Sequence, residues 1–287
     1  MSFWINTEPD ENRFAVRSIN EQTILVTGAT DGLGRAVAAE LAGRGARVLV
    51  HGRDDARGHA TIDAIRTASG SDKLSWLRAD LSSLEDVRSL ANHVTHENGR
   101  LDVLVNNAGI GTAGPRRESG DGYELRFAVN YLAGYLLTRL LLPLVRDSAP
   151  ARIVNVSSLG QAPIDFDDVM LERRYSGTQA YAQSKLAQIM FTFDLADELA
   201  ATGVTATCLH PATYMPTKMV SDAGISPATS LEQGVAATLR LVADPALDGV
   251  TGRFLNGLDQ AEPQPQARDV DARRRLRELS DRLCDLG

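Results

Sequence analysis

Tyr181 and Lys185, four apart in Ala180-Tyr181-Ala182-Gln183-Ser184-Lys185, carry the clearest chemistry in this 287-residue chain. On a helix that spacing puts both side chains on one face, one turn apart. A phenol with an ordinary pKa of about 10 is a poor base at neutral pH. A neighbouring ammonium favours the phenolate and lowers that value toward the working range. Such a pair can give a proton to an oxygen or take one from a hydroxyl; a structural tyrosine on an amphipathic helix is the other use of the same residue. A second feature is Thr27-Gly28-Ala29-Thr30-Asp31-Gly32-Leu33-Gly34. Glycines there permit a tight turn and let the backbone approach a pyrophosphate. A following helix N-terminus adds free N–H groups and a favourable dipole.

These residues need a scaffold, and the hydrophobic pattern describes one. Short runs rich in Val, Ile and Leu lie at 23–27, 47–51, 74–79, 101–106, 152–157 and 204–210, with a weaker seventh at 252–255. Several are apolar on consecutive residues, as strands buried on both faces of a parallel sheet are. Helical spacing falls between them, near 33–43, 55–69, 83–98, 119–147, 178–201 and 230–243. Alternating β and α elements with right-handed crossovers give an α/β fold, a doubly wound parallel sheet of Rossmann type with about seven strands and helices on both faces. No linker or repeat divides the pattern, so one catalytic domain is expected over 21–258. Residues 1–20 form an extension, and 259–287 form a tail with a short helix at 271–285. The glycine run then sits between the first strand and the first helix, where a dinucleotide phosphate would lie.

Composition narrows the partners. Thirty basic against 37 acidic residues leave a net charge of −7, a poor match for nucleic acid or anionic membrane. Cys208 and Cys284 cannot make a disulfide framework or a cysteine zinc site, and His93 and His96 lack a third ligand, so no metal is expected. The most apolar stretch, 131–145, is shorter than the roughly 20 residues of a membrane span and reads as a buried helix. With no targeting segment visible, a cytoplasmic setting is expected.

The glycine run has the spacing G-x-x-x-G-x-G, and four further motifs follow in order: Asp80-Leu81, Asn106-Asn107-Ala108-Gly109, Ser158, and Tyr181-x-x-x-Lys185. Together, over residues 22–257, the chain resembles the short-chain dehydrogenase/reductase family. The stretches 152–158, 164–168, 174–176 and 180–187, with the tail 276–284, resemble its retinol dehydrogenase-like branch. The hydrophobic N-terminal anchor of that branch's animal members is not expected here.

The resemblance implies an oxidoreductase moving a hydride between a nicotinamide cofactor and a carbonyl or alcohol. Its candidate catalytic group is Asn130, Ser158, Tyr181 and Lys185. Tyr181 would be the proton donor or acceptor, and Lys185 would act on it and hold ribose hydroxyls. Ser158 would hydrogen-bond the carbonyl oxygen as charge develops, with Ser157 facing inward, and Asn130 would hold a water that links Lys185 to solvent. Cofactor contacts are expected from Gly28, Thr30, Gly32, Leu33 and Gly34, and from Asp80 and Leu81 on the adenine side. Asn107, Ala108 and Gly109 would line the adenosine side of the cleft. After the sixth strand, Pro211, Thr213 and Thr217 would approach the nicotinamide and pyrophosphate. Ala212 replaces the glycine usual there, so its backbone must avoid positive φ or accept strain.

The choice of cofactor is electrostatic. An acid ending the second strand would bond the ribose 2′-OH of NAD; here Gly52 takes that place, and Arg53 can fork onto a 2′-phosphate. NADP(H) is therefore expected over NAD(H), with Asp31 counting the other way. The 23 residues from Ser158 to Tyr181 include an added segment, 161–178. With Leu159, Ile164, Phe166, Tyr175, Met215 and Met219 it implies an apolar, roomy pocket for a small carbonyl or alcohol. Ordinary packing is an equal use of those side chains. The helices at 123–145 and around Tyr181 serve relatives as assembly faces, so a homodimer or homotetramer is expected unless they are buried in the core.

Overall fold

The computed structural model describes residues 16–287, and most of the expected N-terminal extension, with Trp4 and Phe14, lies outside them. Eight strands form one sheet in the order β3-β2-β1-β4-β5-β6-β7-β8. They are β1 (Thr23–Val26), β2 (Arg47–Gly52), β3 (Leu74–Arg78), β4 (Val103–Asn106), β5 (Ala151–Val156), β6 (Val204–His210), β7 (Arg253–Asn256) and β8 (Asp259–Gln260). The first seven are parallel. The eighth, one more than the sequence indicates, is a two-residue antiparallel edge made by the chain turning back after β7.

Consecutive apolar residues split between the two faces of the sheet. Leu25, Leu49, Leu104 and Ile153 point into one core, and Ile24, Val26, Val48, Val50, Val105 and Val154 into the other. Helices α1 (Gly32–Gly43), α2 (Asp55–Ser69) and α7 (Leu231–Ala243) cover the second face. Helices α3 (Leu84–Glu97), α4 (Phe127–Asp147) and α5 (Gly177–Glu198) cover the first. Side chains mark the helix starts, as N-cap preference requires: Asp54 caps α2, Ser83 caps α3, Ser176 caps α5, and Ser230 with Gln233 makes a capping box on α7.

Two helices differ from the sequence expectation. The stretch expected to start near 119 is an irregular turn through Gly120 and Gly122, and the helix begins at Phe127. Its first six residues, Phe127–Leu132, are π-helical. At 21 residues, with a mean hydropathy of 1.4 in its most apolar window, α4 is long and apolar enough to cross a membrane, so the shortness argument does not hold. Burial is what describes it here, with 67% of that window inside the protein. A further short helix, α6 (Lys218–Asp222), follows β6.

The tail is part of the body. Helix α8 (Val270–Leu283) lies on the outer side of α4 and α5. Tyr131 Oη meets Ser280 Oγ at 2.7 Å, and Tyr135 Oη donates to Asp281 at 2.6 Å. Arg273 and Arg277 pair with Asp197 and Asp194 on α5. Leu276 is buried beneath them.

Candidate active site

Parallel register brings the loops that follow β1, β2, β4, β5 and β6 to one edge: Val26 pairs with Val50 and Val105, Asn106 with Asn155, and Val156 with Leu209. The strand order reverses between β1 and β4, which is where ligands bind in open α/β sheets. The glycine turn lies there. Gly28 and Gly32 have φ of +63° and +49°, values costly for other residues. A side chain at Gly34 would strike Gly28 O and Asn107 Nδ2, both 2.4 Å from an added Cβ. Thr217, from the segment after β6, lays its methyl against Gly32.

Asn107 and Ala108 fasten this turn from the other side. Their backbone amides donate to Thr27 Oγ1 at 3.0 and 3.1 Å, and Asn107 Nδ2 donates to Thr27 O at 2.8 Å. Two N–H groups expected to line the adenosine side are thus engaged within the protein. Asp80 accepts from the amide and hydroxyl of Ser82. Burial raises its pKa, but those bonds and the charges of Arg53 and Arg78 outweigh it and hold the carboxyl below its ordinary value.

The end of β2 explains its own composition. A Cβ at Gly52 would lie 2.7 Å from Thr30 and 2.9 Å from Trp76, so an acidic side chain does not fit without rearrangement. The acids nearby are all engaged. Asp54 caps α2, and Asp55 accepts from Trp76 Nε1 at 2.8 Å and faces Arg78 at 3.6 Å. Asp31 accepts from Gly32 N at 2.7 Å and pairs with Arg57 at 3.2 Å. Arg53 is exposed and, among the described residues, has no ion-pair partner. Arg57 is a cation that sequence reading passed over; its position four residues after Arg53 was the available signal.

The four candidate catalytic residues come together. Asn130 lies in the π-helical turn, a geometry frequent at functional sites. Its Oδ1 accepts from Ile110 N at 2.7 Å, and its Nδ2 donates to Ile110 O at 3.1 Å and Ser184 Oγ at 3.0 Å. A Cβ at Gly109 would lie 3.3 Å from Asn130 Oδ1 and 3.6 Å from Lys185 Nζ, so this loop covers both. Ser158 and Tyr181 meet over Gly160, where an added Cβ would lie 3.5 Å from Ser158 Oγ and 3.6 Å from the Tyr181 ring. Ser157 faces inward as expected, donating to Lys185 O at 2.7 Å.

Lys185 Nζ sits 5.6 Å from the centre of the Tyr181 ring and donates to Val156 O and Gln188 Oε1, each at 2.9 Å. Burial lowers its pKa to about 7. The phenol does not follow the expected direction. Burial raises the Tyr181 pKa, the bond to Ser158 pulls it back, and Tyr214 adds to the rise. Lys185 does not offset this, because with its own pKa at about 7 it has lost its charge before a raised phenol ionises.

The loops after β6 and β5 complete the edge. Ala212 avoids positive φ, which falls instead on Tyr214 at +50°. Thr213 Oγ1 lies 2.9 Å from His210 Nε2, and Pro211 is buried between them. Of the side chains expected to line an apolar pocket, Leu159 and Met219 are exposed, joined by Tyr214 and Ile225. Ile164 is in the core, Phe166 packs under Arg275, and Met215, partly buried, packs against the core beside α7. Tyr175 bonds Glu124 and Arg126, whose guanidinium also takes up Gly111 O at 2.7 Å. The added segment therefore lends several of its apolar side chains to packing, while Leu159 and Met219 stay exposed. A cavity of about 330 Å³ lies at the opposite edge near Gln22 and Arg152. His51 was also unforeseen. Its Nδ1 accepts from Gly28 N and its Nε2 faces Ala79 O, both at 3.2 Å, and burial lowers its pKa to about 4.

A family model described as short chain dehydrogenase matches residues 22–226. Human retinol dehydrogenase 14 is 37% identical to the chain, over 92% of this sequence and 87% of the relative. An uncharacterized Mycobacterium paratuberculosis protein has a crystal structure that superposes with a TM-score of 0.76 at 31% identity, covering 94% of this chain and 96% of that one. A short chain dehydrogenase from Escherichia coli CFT073, solved in complex with NADPH, gives 0.69 at 28% identity, covering 84% and 98%.

Proposed function

The chain belongs to the short-chain dehydrogenase/reductase family, in its retinol dehydrogenase-like branch, and from that membership we propose an NADP(H)-dependent enzyme interconverting an apolar carbonyl compound and its alcohol. The observation that carries this reading is the meeting of Ser158, Tyr181, Lys185 and Asn130 beside a glycine turn shaped for a pyrophosphate.

The residues present fit a dinucleotide. The positive-φ turn, with α1 behind it and Thr217 against it, would hold the phosphates, Asp80 the adenine side, and Thr213 the nicotinamide side. Arg53 favours a 2′-phosphate, as does the Escherichia coli relative solved with NADPH. The case for NAD(H) rests on Asp31, whose charge is countered by Arg57. Bound NADP(H) supplies or takes up the hydride. Ser158 donates a hydrogen bond to the substrate oxygen and holds it against Tyr181. The phenol gives that oxygen its proton in reduction and removes it in oxidation. A phenol whose pKa is raised keeps its proton at neutral pH, which suits carbonyl reduction. Leu159, Tyr214, Met219 and Ile225 around the opening support an apolar substrate, and the relatives named for retinol point the same way.

Loss of NADPH absorbance with a panel of aldehydes and ketones tests the reading. Tyr181→Phe is expected to lower turnover at least about 100-fold while NADPH fluorescence titrations change little. A Tyr181→Phe enzyme with unimpaired turnover would falsify the assigned proton donor.

A further inference from the structure

Behind Lys185 runs a buried polar chain that the proposed reaction does not use. Gln188, one turn further along α5 and 4% exposed, puts Oε1 on Lys185 Nζ. Its main-chain carbonyl accepts from Thr192 Oγ1 at 2.7 Å, and Thr192 Oγ1 accepts from Asn155 Nδ2 at 2.9 Å. Asn106 Nδ2 continues the chain to Asn155 Oδ1 and Thr138 Oγ1, each at 2.9 Å. Every member beyond Lys185 is uncharged.

A buried ammonium is costly unless charge or hydrogen bonds compensate it. The titratable groups facing Lys185 are Tyr181 on its own helix and His210 at the end of β6. Burial and the charge of Lys185 both keep His210 neutral, with a pKa of about 4. From α4 the facing group is Asn130, and from the loop after β4 it is Gly109; neither carries charge. No carboxylate among the described residues pairs with Lys185. Its ammonium is held by two neutral oxygens, the fixed carbonyl of Val156 and the amide of Gln188.

We propose that Gln188 is a positioning residue whose amide oxygen keeps Lys185 protonated and turned toward β5, and so sets the pH range in which Lys185 can act on Tyr181. A hydrogen bond to the charged form of a group favours that form. Because burial lowers the Lys185 pKa to about 7, each of its two acceptors bears on its charge at physiological pH, and Gln188 is the one a side-chain substitution can remove. The part of this inference that concerns turnover rests on the proposed dehydrogenase reading; the part that concerns protonation does not.

The experiment separates the two. Lys73, Lys185 and Lys218 are the only lysines in the chain, and Lys73 and Lys218 are exposed. Side-chain NMR of lysine-labelled, cofactor-free protein therefore gives three signals, of which Lys185 is the one titrating near neutrality. Gln188→Met is expected to lower that midpoint by about one to two pH units, the worth of one hydrogen bond to a charged group. Gln188→Glu, nearly the same shape, is expected to raise it similarly. The basic limb of kcat against pH should move with it, at nearly constant KM. Equal midpoints in wild type and both variants overturn the proposal, even if activity falls. Should Gln188→Met not fold, a Gln188→Glu midpoint at or below wild type overturns it alone. Midpoints that move in protein inactive on every carbonyl tested uphold the role of Gln188 and sink the dehydrogenase reading.

Discussion

At the residue scale, His51 shows how a side chain outside the recognised motifs can hold one of them. Its neutral ring bridges Gly28 N, in the glycine turn, and Ala79 O, beside Asp80. The Nε2–H donates and Nδ1 accepts, a pattern that protonation destroys. Its folded pKa of about 4 lies below the unfolded value of 6.5, so the unfolded chain binds the extra proton first. The stabilisation is complete above pH 6.5 and is lost as pH falls toward 4, up to about 3 kcal/mol from this group. Urea midpoints between pH 7 and pH 4 should fall accordingly. His51→Asn, which keeps an acceptor near Gly28 but cannot protonate, should show a flatter fall; a parallel fall would remove His51 from this role. Tyr181 and Lys185 were legible from their spacing on one helix, and Ser158 and Asn130 through the resemblance carried by the motifs after β5 and on α4. His51 and Arg57 were not, because their partners are distant in sequence or are main-chain atoms, and Gln188, three residues after Lys185, belongs to no recognised motif.

At the element scale, the strands and most helices could be read from apolar periodicity, and the departures have local causes. Gly120 and Gly122 delay α4, and a chain reversal too short to show a pattern adds β8. Helix α8 was visible as a helix, but its place was not, since an arginine-rich stretch reads as a solvated face. Those arginines straddle the rim of α5 while Leu276 and Ala272 go inward. Leu276→Ala is expected to cost about 2–5 kcal/mol, measurable by denaturant unfolding. Helix α8 also covers the faces of α4 and α5 through which assembly was expected. A chain ending at residue 268 should expose them and self-associate in light scattering, whereas the intact chain should not associate through that face. Identical scattering from both would leave α8 without a shielding role.

For the whole molecule, the doubly wound order follows from alternating elements and handed crossovers, which is why the architecture was readable throughout. The pocket was less so: apolar composition in 161–178 could not distinguish wall from opening. Because the candidate cofactor cleft draws on loops from five strands, ligand binding should register as global stability. NADPH at about 100 times its Kd is expected to add about 2.7 kcal/mol, raising Tm more than NADH at equal concentration. Arg53→Ala should erase most of that difference and Arg57→Ala part of it. An unchanged NADPH preference in Arg53→Ala would end the argument for NADP(H).

The tail carries one more consequence, for the order in which the protein is made. Gln264 N donates to Gln161 Oε1, and Gln266 exchanges hydrogen bonds with the backbone of Ile164 on both sides. The wall beside Ser158 is thus fastened by residues translated about a hundred positions later. On the ribosome, where chains fold from the amino end, the sheet and glycine turn can form while that wall still lacks its clasp. Nascent chains stalled before residue 264 should therefore acquire their nucleotide cleft before their substrate mouth, with proteolytic sensitivity persisting in 161–178 until release.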